Sequence, residues 1–256
     1  MIPFEPIIFG YKLNVHLILE WLAFFIAFRY YRWLRKKSID EISGRNRLSI
    51  ILGAITGAFI GSRFIGFMEN PLVEMNTNNL VHILNSKTIM GGLFGGLIGV
   101  ELAKLIIREP RSSGDLFTYP IITGIIIGRI GCFLSGVKEF TYGNTTSWIT
   151  GMDLGDGLLR HPIALYEVIF LILLFVFLKR IQNKVKEETG LLFKIFMITY
   201  FGFRFVIEFI KPNVFFMFGL SSIQWLCIIC WLYYMPTLKK ILQNACKKIY
   251  LLRLHH

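Results

Sequence analysis

Acidic side chains are scarce, with 16 Asp and Glu against 28 Lys and Arg in 256 residues, and only 17% of the chain is charged. A soluble domain carries roughly 25% charged and about 45–50% apolar residues. Here 54% are hydrophobic, and the apolar runs recur along nearly the whole length, leaving no stretch large enough for a separate water-soluble core. Alternating apolar and polar positions are also missing, and a membrane barrel would alternate over about 10 residues per strand. Cysteine is limited to Cys132, Cys227, Cys230 and Cys246, each in or beside an apolar segment. They read as buried small hydrophobes, not as a disulfide scaffold or metal site. The Cys227-Ile-Ile-Cys230 spacing is that of a redox motif, but its apolar neighbours make it a membrane-helix face. No cluster of metal-ligating residues is visible, so neither metal nor cofactor is expected. Met1-Ile-Pro-Phe-Glu5 lacks a basic leader and no small-residue cleavage site follows, so no cleavable signal is expected.

The chain therefore reads as an all-α, polytopic membrane helical bundle forming a single integral membrane domain over residues 1–256. Seven segments approach the roughly 20 apolar residues of a span: Val15 to Tyr31, Leu48 to Met68, Thr88 to Ile107, Leu116 to Leu134, Pro162 to Leu178, Leu191 to Ile210, and Phe218 to Tyr234. The second and third are rich in glycine (Gly53, Gly57, Gly61, Gly66; Gly91, Gly92, Gly95, Gly96, Gly99), which lets membrane helices approach closely. Basic residues gather after the first span (Arg32, Arg35, Lys36, Lys37, Arg45, Arg47), after the third (Arg108, Arg111), after the fifth (Lys179, Arg180, Lys184, Lys186) and in the tail at 239–256. The positive-inside rule makes those segments cytoplasmic, with the amino terminus outside. The net charge of +12 is thus topology and not nucleic-acid binding. Residues 1–14 suit an outer-surface interfacial segment. Residues 137–159 form a polar outer loop, long enough to suggest function.

Against this apolar background, a few charges stand inside the spans. Arg129 lies in Ile125-Ile-Ile-Gly-Arg-Ile-Gly-Cys-Phe-Leu134, and Arg204 in Ile198-Thr-Tyr-Phe-Gly-Phe-Arg-Phe-Val-Ile-Glu-Phe209. Guanidinium keeps its charge, at about 2.5–3.5 kcal/mol in mid-membrane even on the lenient insertion scale. Each needs an anion, either a neighbouring carboxylate or a lipid phosphate, which guanidinium grips with a two-pronged fork. Glycines beside Arg129 (Gly128, Gly131) and Ser135-Gly136 would admit a bulky head group. Arg204 and Glu208 share a helical face and can pair, with Tyr200 one turn earlier. Arg160-His161-Pro162 opens the fifth span, followed by Tyr166 and Glu167. His161 is either a base near neutral pH or a capping residue. Glu167 needs a partner, for which Arg160, Arg129 and Arg63 are candidates. Glu20 and Glu101 are further intramembrane carboxylates. Together with Arg63, Arg129 and Arg204 they suggest a polar cavity inside the bundle.

Gly128-Arg-Ile-Gly-Cys-Phe-Leu-Ser-Gly136 followed by Arg160-His-Pro-Ile-Ala-Leu-Tyr-Glu167 resembles the prolipoprotein diacylglyceryl transferase family. Gly95-Gly-Leu-Ile-Gly99 and Phe203-Arg-Phe-Val-Ile-Glu-Phe209 match two further family blocks, in the family's order. The resemblance implies a seven-span enzyme of the bacterial cytoplasmic (inner) membrane, acting in lipoprotein biosynthesis. Such an enzyme transfers the diacylglyceryl group of phosphatidylglycerol to the lipobox cysteine thiol of a prolipoprotein and releases glycerol phosphate. Its partners would be phosphatidylglycerol, the lipobox peptide and membrane lipids. By the same resemblance Arg129 is the signature lipid-binding arginine, Arg204 a second essential one, Glu208 its acidic neighbour, and Tyr200 the tyrosine one turn before. Catalysis would fall to Arg129, Arg204, Glu208, His161 and Tyr200. Substrate binding would involve Arg129, Gly131, Ser135, Arg160, Tyr166, Glu167 and Arg63.

The chain is a divergent member on this reading. Phe94 stands where the family usually has histidine, Cys132 and Ser135 where it has asparagines, Val137 where it has glutamate, and Ile18 where it has tyrosine. The base that takes the thiol proton is left open between His161, Tyr200 and Glu167, or none if arginine alone favours the thiolate. The competing readings are a family member that binds anionic lipid without transfer, and a small-solute transporter. No internal repeat of the kind transporters often carry is evident.

Overall fold

The computed structural model describes residues 2–8, 10–38, 40–69, 87–185, 188–212, 217–240 and 243. Seven α-helices carry the fold among them: α1 Val15–Lys37, α2 Gly44–Glu69, α3 Ile89–Ile107, α4 Asp115–Ser135, α5 Ile163–Val185, α6 Leu191–Ile207 and α7 Ser222–Tyr233. Each falls on one of the seven apolar segments read from the sequence. α2, α3 and α4 are long and apolar enough to cross a membrane. α6 and α7 are shorter, at 17 and 12 residues, each adjoined by a short 3₁₀ turn at Glu208–Ile210 or Met217–Gly219.

Local chemistry explains several boundaries. Asn14 opens α1 by accepting the amide hydrogen of Leu17 (3.0 Å), which supplies a partner that the first helical turn cannot. Ser221 and Gln224 cap α7 reciprocally. Gly136 ends α4 at φ 61°, and a side chain there would run into the Leu154 carbonyl. That close approach folds the polar segment back onto the helix end.

The segment after α4 is more ordered than a plain loop. Met152–Asp153 and Leu159–Arg160 form a short antiparallel hairpin, and Thr145 bridges to Arg160. Asp153 closes its turn by accepting from the amides of Gly155 (2.8 Å) and Gly157 (3.0 Å). The amino-terminal segment is likewise a hairpin, Ile7–Ile8 paired with Tyr11–Lys12. It is stitched to the same end of the bundle by Phe4 N–H donating to the Leu134 carbonyl (2.8 Å) and by a Lys138–Glu5 ion pair.

The core is built by α3 to α7, with Met90, Tyr119, Ile122, Leu171, Phe196, Phe201, Ile223 and Cys227 all buried. Large side chains on the outer faces, including Trp21, Phe24, Ile55, Leu105 and Leu173, are exposed. Cys227 and Cys230 are buried in the core as expected, and Cys132 is buried at the end of α4. Cys246 lies outside the described residues, as does nearly all of the tail beyond 240.

Glycine lets α2 and α3 touch backbone to backbone. Gly53, Gly57 and Gly61 face Gly99, Gly95 and Gly91, and a Cβ on Gly95 would fall 2.8 Å from the Gly61 Cα. Gly95→Leu is expected to force the pair apart at about 3 kcal/mol or more, the upper end of overpacking costs. Gly96→Ala should be nearly neutral, since its Cβ would meet the Ala58 Cβ at an ordinary 3.5 Å. Thermal unfolding of both variants in detergent checks the contrast.

Several charges sit differently from the sequence reading. Arg47, assigned there to the cytoplasmic connection after the first span, lies in the first turn of α2 and is buried. It bonds Asp40 and the Ser113 carbonyl (3.3 Å), because the short turn from α1 folds Asp40 back over it. Burial opposes ionisation of Asp40, yet the hydrogen bond and charge of Arg47 hold its carboxyl below the usual range. Glu20 and Glu101 do not join the internal arginines. Glu20 pairs with Lys87 (2.7 Å) and Glu101 with Lys104 one turn along α3 (3.7 Å).

Candidate active site

α4, α5 and α6 bring four charges and a phenol together in the interior. Glu167, one turn into α5, is fully buried. Its Oε1 accepts the Tyr200 hydroxyl (2.5 Å) and lies 2.9 Å from Arg129 Nε, while its Oε2 accepts Arg204 Nη1 (2.9 Å). Arg204 Nη2 continues to Glu208 at 2.5 Å. Lys211, just beyond the 3₁₀ turn, extends the chain at 3.9 Å from Glu208 and 3.6 Å from Glu69. Opposite charges in contact offset each other's desolvation, and the alternation of signs is what makes the cluster tolerable in an apolar core.

Of the candidate partners for Glu167, the structure selects Arg129 and adds Arg204. Arg160 is elsewhere: it pairs with Asp156 in the outer hairpin (2.7 Å) and lies over the Tyr142 ring. Arg63 stands on α2 with its guanidinium 5.4 Å from the Phe59 ring. His161 belongs to a separate cluster, with Nδ1 3.1 Å from the Tyr166 hydroxyl, which donates to Thr150 Oγ1 (2.7 Å); the Trp148 ring meets it edge-on. Ser135 is the last residue of α4. Gly131 faces α1, where a Cβ would press on Leu19 at 3.2 Å and on His16 at 3.4 Å.

The two arginines differ in what they have left to give. Both terminal nitrogens of Arg204 are engaged by carboxylates, leaving only its buried Nε without a hydrogen bond, so it acts as a brace between Glu167 and Glu208. Arg129 is buried, yet its Nε, although close to Glu167, makes no directed hydrogen bond, and its Nη1 finds only the Cys132 sulfur at 3.9 Å. A buried guanidinium with idle donors is costly unless something else accepts from it. An incoming phosphate would do so.

A second group near Arg129 was not foreseen. His16, at the start of α1, places Nε2 3.5 Å from Cys132 Sγ and Nδ1 3.2 Å from Glu139. Nothing in the sequence joins residues 116 positions apart, and the one available hint was a histidine at the mouth of an apolar span. Phe94, at the position where histidine was missed, packs against Phe201 with ring centroids 6.5 Å apart.

A model of the prolipoprotein diacylglyceryl transferase family matches residues 6–238. The chain belongs to that family. Similar proteins include phosphatidylglycerol–prolipoprotein diacylglyceryl transferases from Wolbachia sp. subsp. Brugia malayi (strain TRS), 33% identical over 73% of each chain, and from Ehrlichia ruminantium (strain Welgevonden), 33% identical over 75% of this chain and 78% of its own. The enzyme of the same name from Pseudoalteromonas translucida (strain TAC 125) is 28% identical over 81% of this chain and 80% of its own. Family membership and the apolar helices make this a multi-pass membrane protein.

Proposed function

We propose that this family member is a phosphatidylglycerol–prolipoprotein diacylglyceryl transferase, moving the diacylglyceryl group onto the lipobox cysteine of a prolipoprotein. The observation that carries the reading is Arg129, a buried guanidinium fixed beside Glu167 with donor capacity unused. A fork of N–H donors fits a phosphate oxygen pair, and the same positive charge stabilises the glycerol phosphate that leaves. The bond made is carbon–sulfur and the bond broken is carbon–oxygen, with the electron pair departing on phosphate. Arg204, Glu208 and Tyr200 act by holding Glu167 and hence Arg129. Tyr200 donates to a carboxylate and so keeps its proton in this arrangement.

All seven helices are read as spans of one domain, amino terminus outside and carboxyl terminus inside, in the bacterial inner membrane. Basic residues around the α1–α2, α3–α4 and α5–α6 connections support that orientation. Arg129, the 137–159 segment and the amino-terminal hairpin then share the outer end, where lipids enter from the side and a lipobox peptide arrives. His161, Tyr166 and Arg160 belong to the outer surface over which the peptide would pass. Incubating the protein with phosphatidylglycerol and a lipobox peptide should add one diacylglyceryl group to the peptide, read by mass spectrometry, with equimolar glycerol phosphate. Lipid binding without either product would favour a repurposed binder.

A further inference from the structure

At the loop end of the bundle, three groups from different segments line up: Glu139 beyond α4, His16 on α1, and Cys132 inside α4. Glu139 lies 3.2 Å from His16 Nδ1 as an ion-pair contact, and a carboxylate on that side favours the tautomer with its proton on Nδ1. A neutral ring then turns the Nε2 lone pair toward the sulfur 3.5 Å away. That sulfur also lies 3.9 Å from Arg129 Nη1. The Cys132 sulfur thus marks a point between the imidazole and the guanidinium, and an acceptor thiol arriving beside it would meet the base on one side and the phosphate-holding arginine on the other.

We propose that His16, oriented by Glu139, is the base that takes the proton of the acceptor thiol. The inference rests on the transfer reading above. The substrate S–H proton goes to Nε2, the sulfur pair forms the new bond to the glyceryl carbon, and the carbon–oxygen pair leaves with phosphate held by Arg129. Glu139 stabilises the imidazolium. Its side chain lines an open cleft with Lys12, Asn14, Ser135 and Lys138, through which the proton reaches water. Gly131 eases the packing of α1 on α4 here, since a Cβ would meet the Leu19 Cβ at a tight 3.2 Å and the His16 ring at an ordinary 3.4 Å. The charged and titratable groups around the imidazole are Glu139, Cys132 with Arg129 behind it, and Glu20 one turn along α1.

The test compares wild type, His16→Gln and Glu139→Gln in bilayers containing phosphatidylglycerol, with a lipobox peptide, between pH 7 and 9.5. A positioned general base contributes about 100-fold or more, so His16→Gln should lose about 100-fold at pH 7. It should recover most of that by pH 9.5, where a thiol of pKa about 8.5 ionises unaided. Glu139→Gln, altered at a partly exposed side chain outside the helices, should show a smaller loss with the same alkaline recovery. Arg129→Ala should not recover. A His16→Gln rate within about 3-fold of wild type at pH 7 overturns the proposal, as does an equal loss across the whole pH range in both His16→Gln and Glu139→Gln. If wild type leaves the peptide unmodified at every pH, the transfer reading itself fails. If wild type transfers and the variants do not follow this pattern, only the base assignment fails.

Discussion

Glu167→Ala is expected to destabilise the protein more than any other single change at the site, by about 3–5 kcal/mol, the cost of stripping one partner from a buried ion cluster. Glu167 is the one anion shared by Arg129 and Arg204, and it also accepts the Tyr200 hydroxyl. Removing it leaves Arg129 with no carboxylate partner among the described residues, leaves Arg204 to Glu208, and leaves two guanidinium charges flanking the vacated space without the anion they share. Glu167→Gln preserves volume and one acceptor oxygen, and should fall between the two. Thermal unfolding in a single detergent, comparing wild type, Glu167→Gln and Glu167→Ala, should give that order. A Glu167→Ala protein as stable as wild type would mean that the cluster is not what neutralises the arginines.

Arg129→Ala should separate activity from stability. Its removal leaves Glu167 bonded to Arg204 and Tyr200, so the fold is expected to survive while transfer falls by about 100- to 1,000-fold, the range for losing a preorganised donor to developing charge. Arg129→Lys should restore little of it, because an ammonium supplies charge without the paired, coplanar donors. Arg204→Ala differs in kind. It breaks the Arg204 bonds to both Glu167 and Glu208 at once, so stability and transfer should drop together.

Much of the architecture was legible beforehand because it is written in apolar run length. All seven segments became helices, although the first and fifth run on past their expected ends to Lys37 and Val185, and the glycines of α2 and α3 met as the membrane-packing rule anticipates. The Arg204–Glu208 pair was legible too, since four residues along a helix fixes proximity. Long-range pairing was not. Glu167 had three plausible cations and chose Arg129, with Arg204 from a third helix completing the cluster. Arg129 and Arg204, each read as needing a carboxylate or a phosphate, are bridged by the Glu167 carboxylate; Arg204 has both terminal nitrogens on carboxylates, while Arg129 has neither. His16 escaped notice because its significance depends on how α1 lies against Gly131 and Cys132, a matter of packing that no spacing records. His161 carries the visible motif instead, and its ring sits with Tyr166 and Trp148 in the outer segment.

The role of Arg129 in transfer is read most directly from glycerol phosphate release by phosphatidylglycerol bilayers in the presence of a lipobox peptide. That release should be measured side by side for wild type and for Arg129→Ala shown to be folded by its melting curve. Wild type should release glycerol phosphate in step with peptide modification, and the variant should lose at least about 100-fold. Turnover by folded Arg129→Ala at the wild-type rate would contradict it.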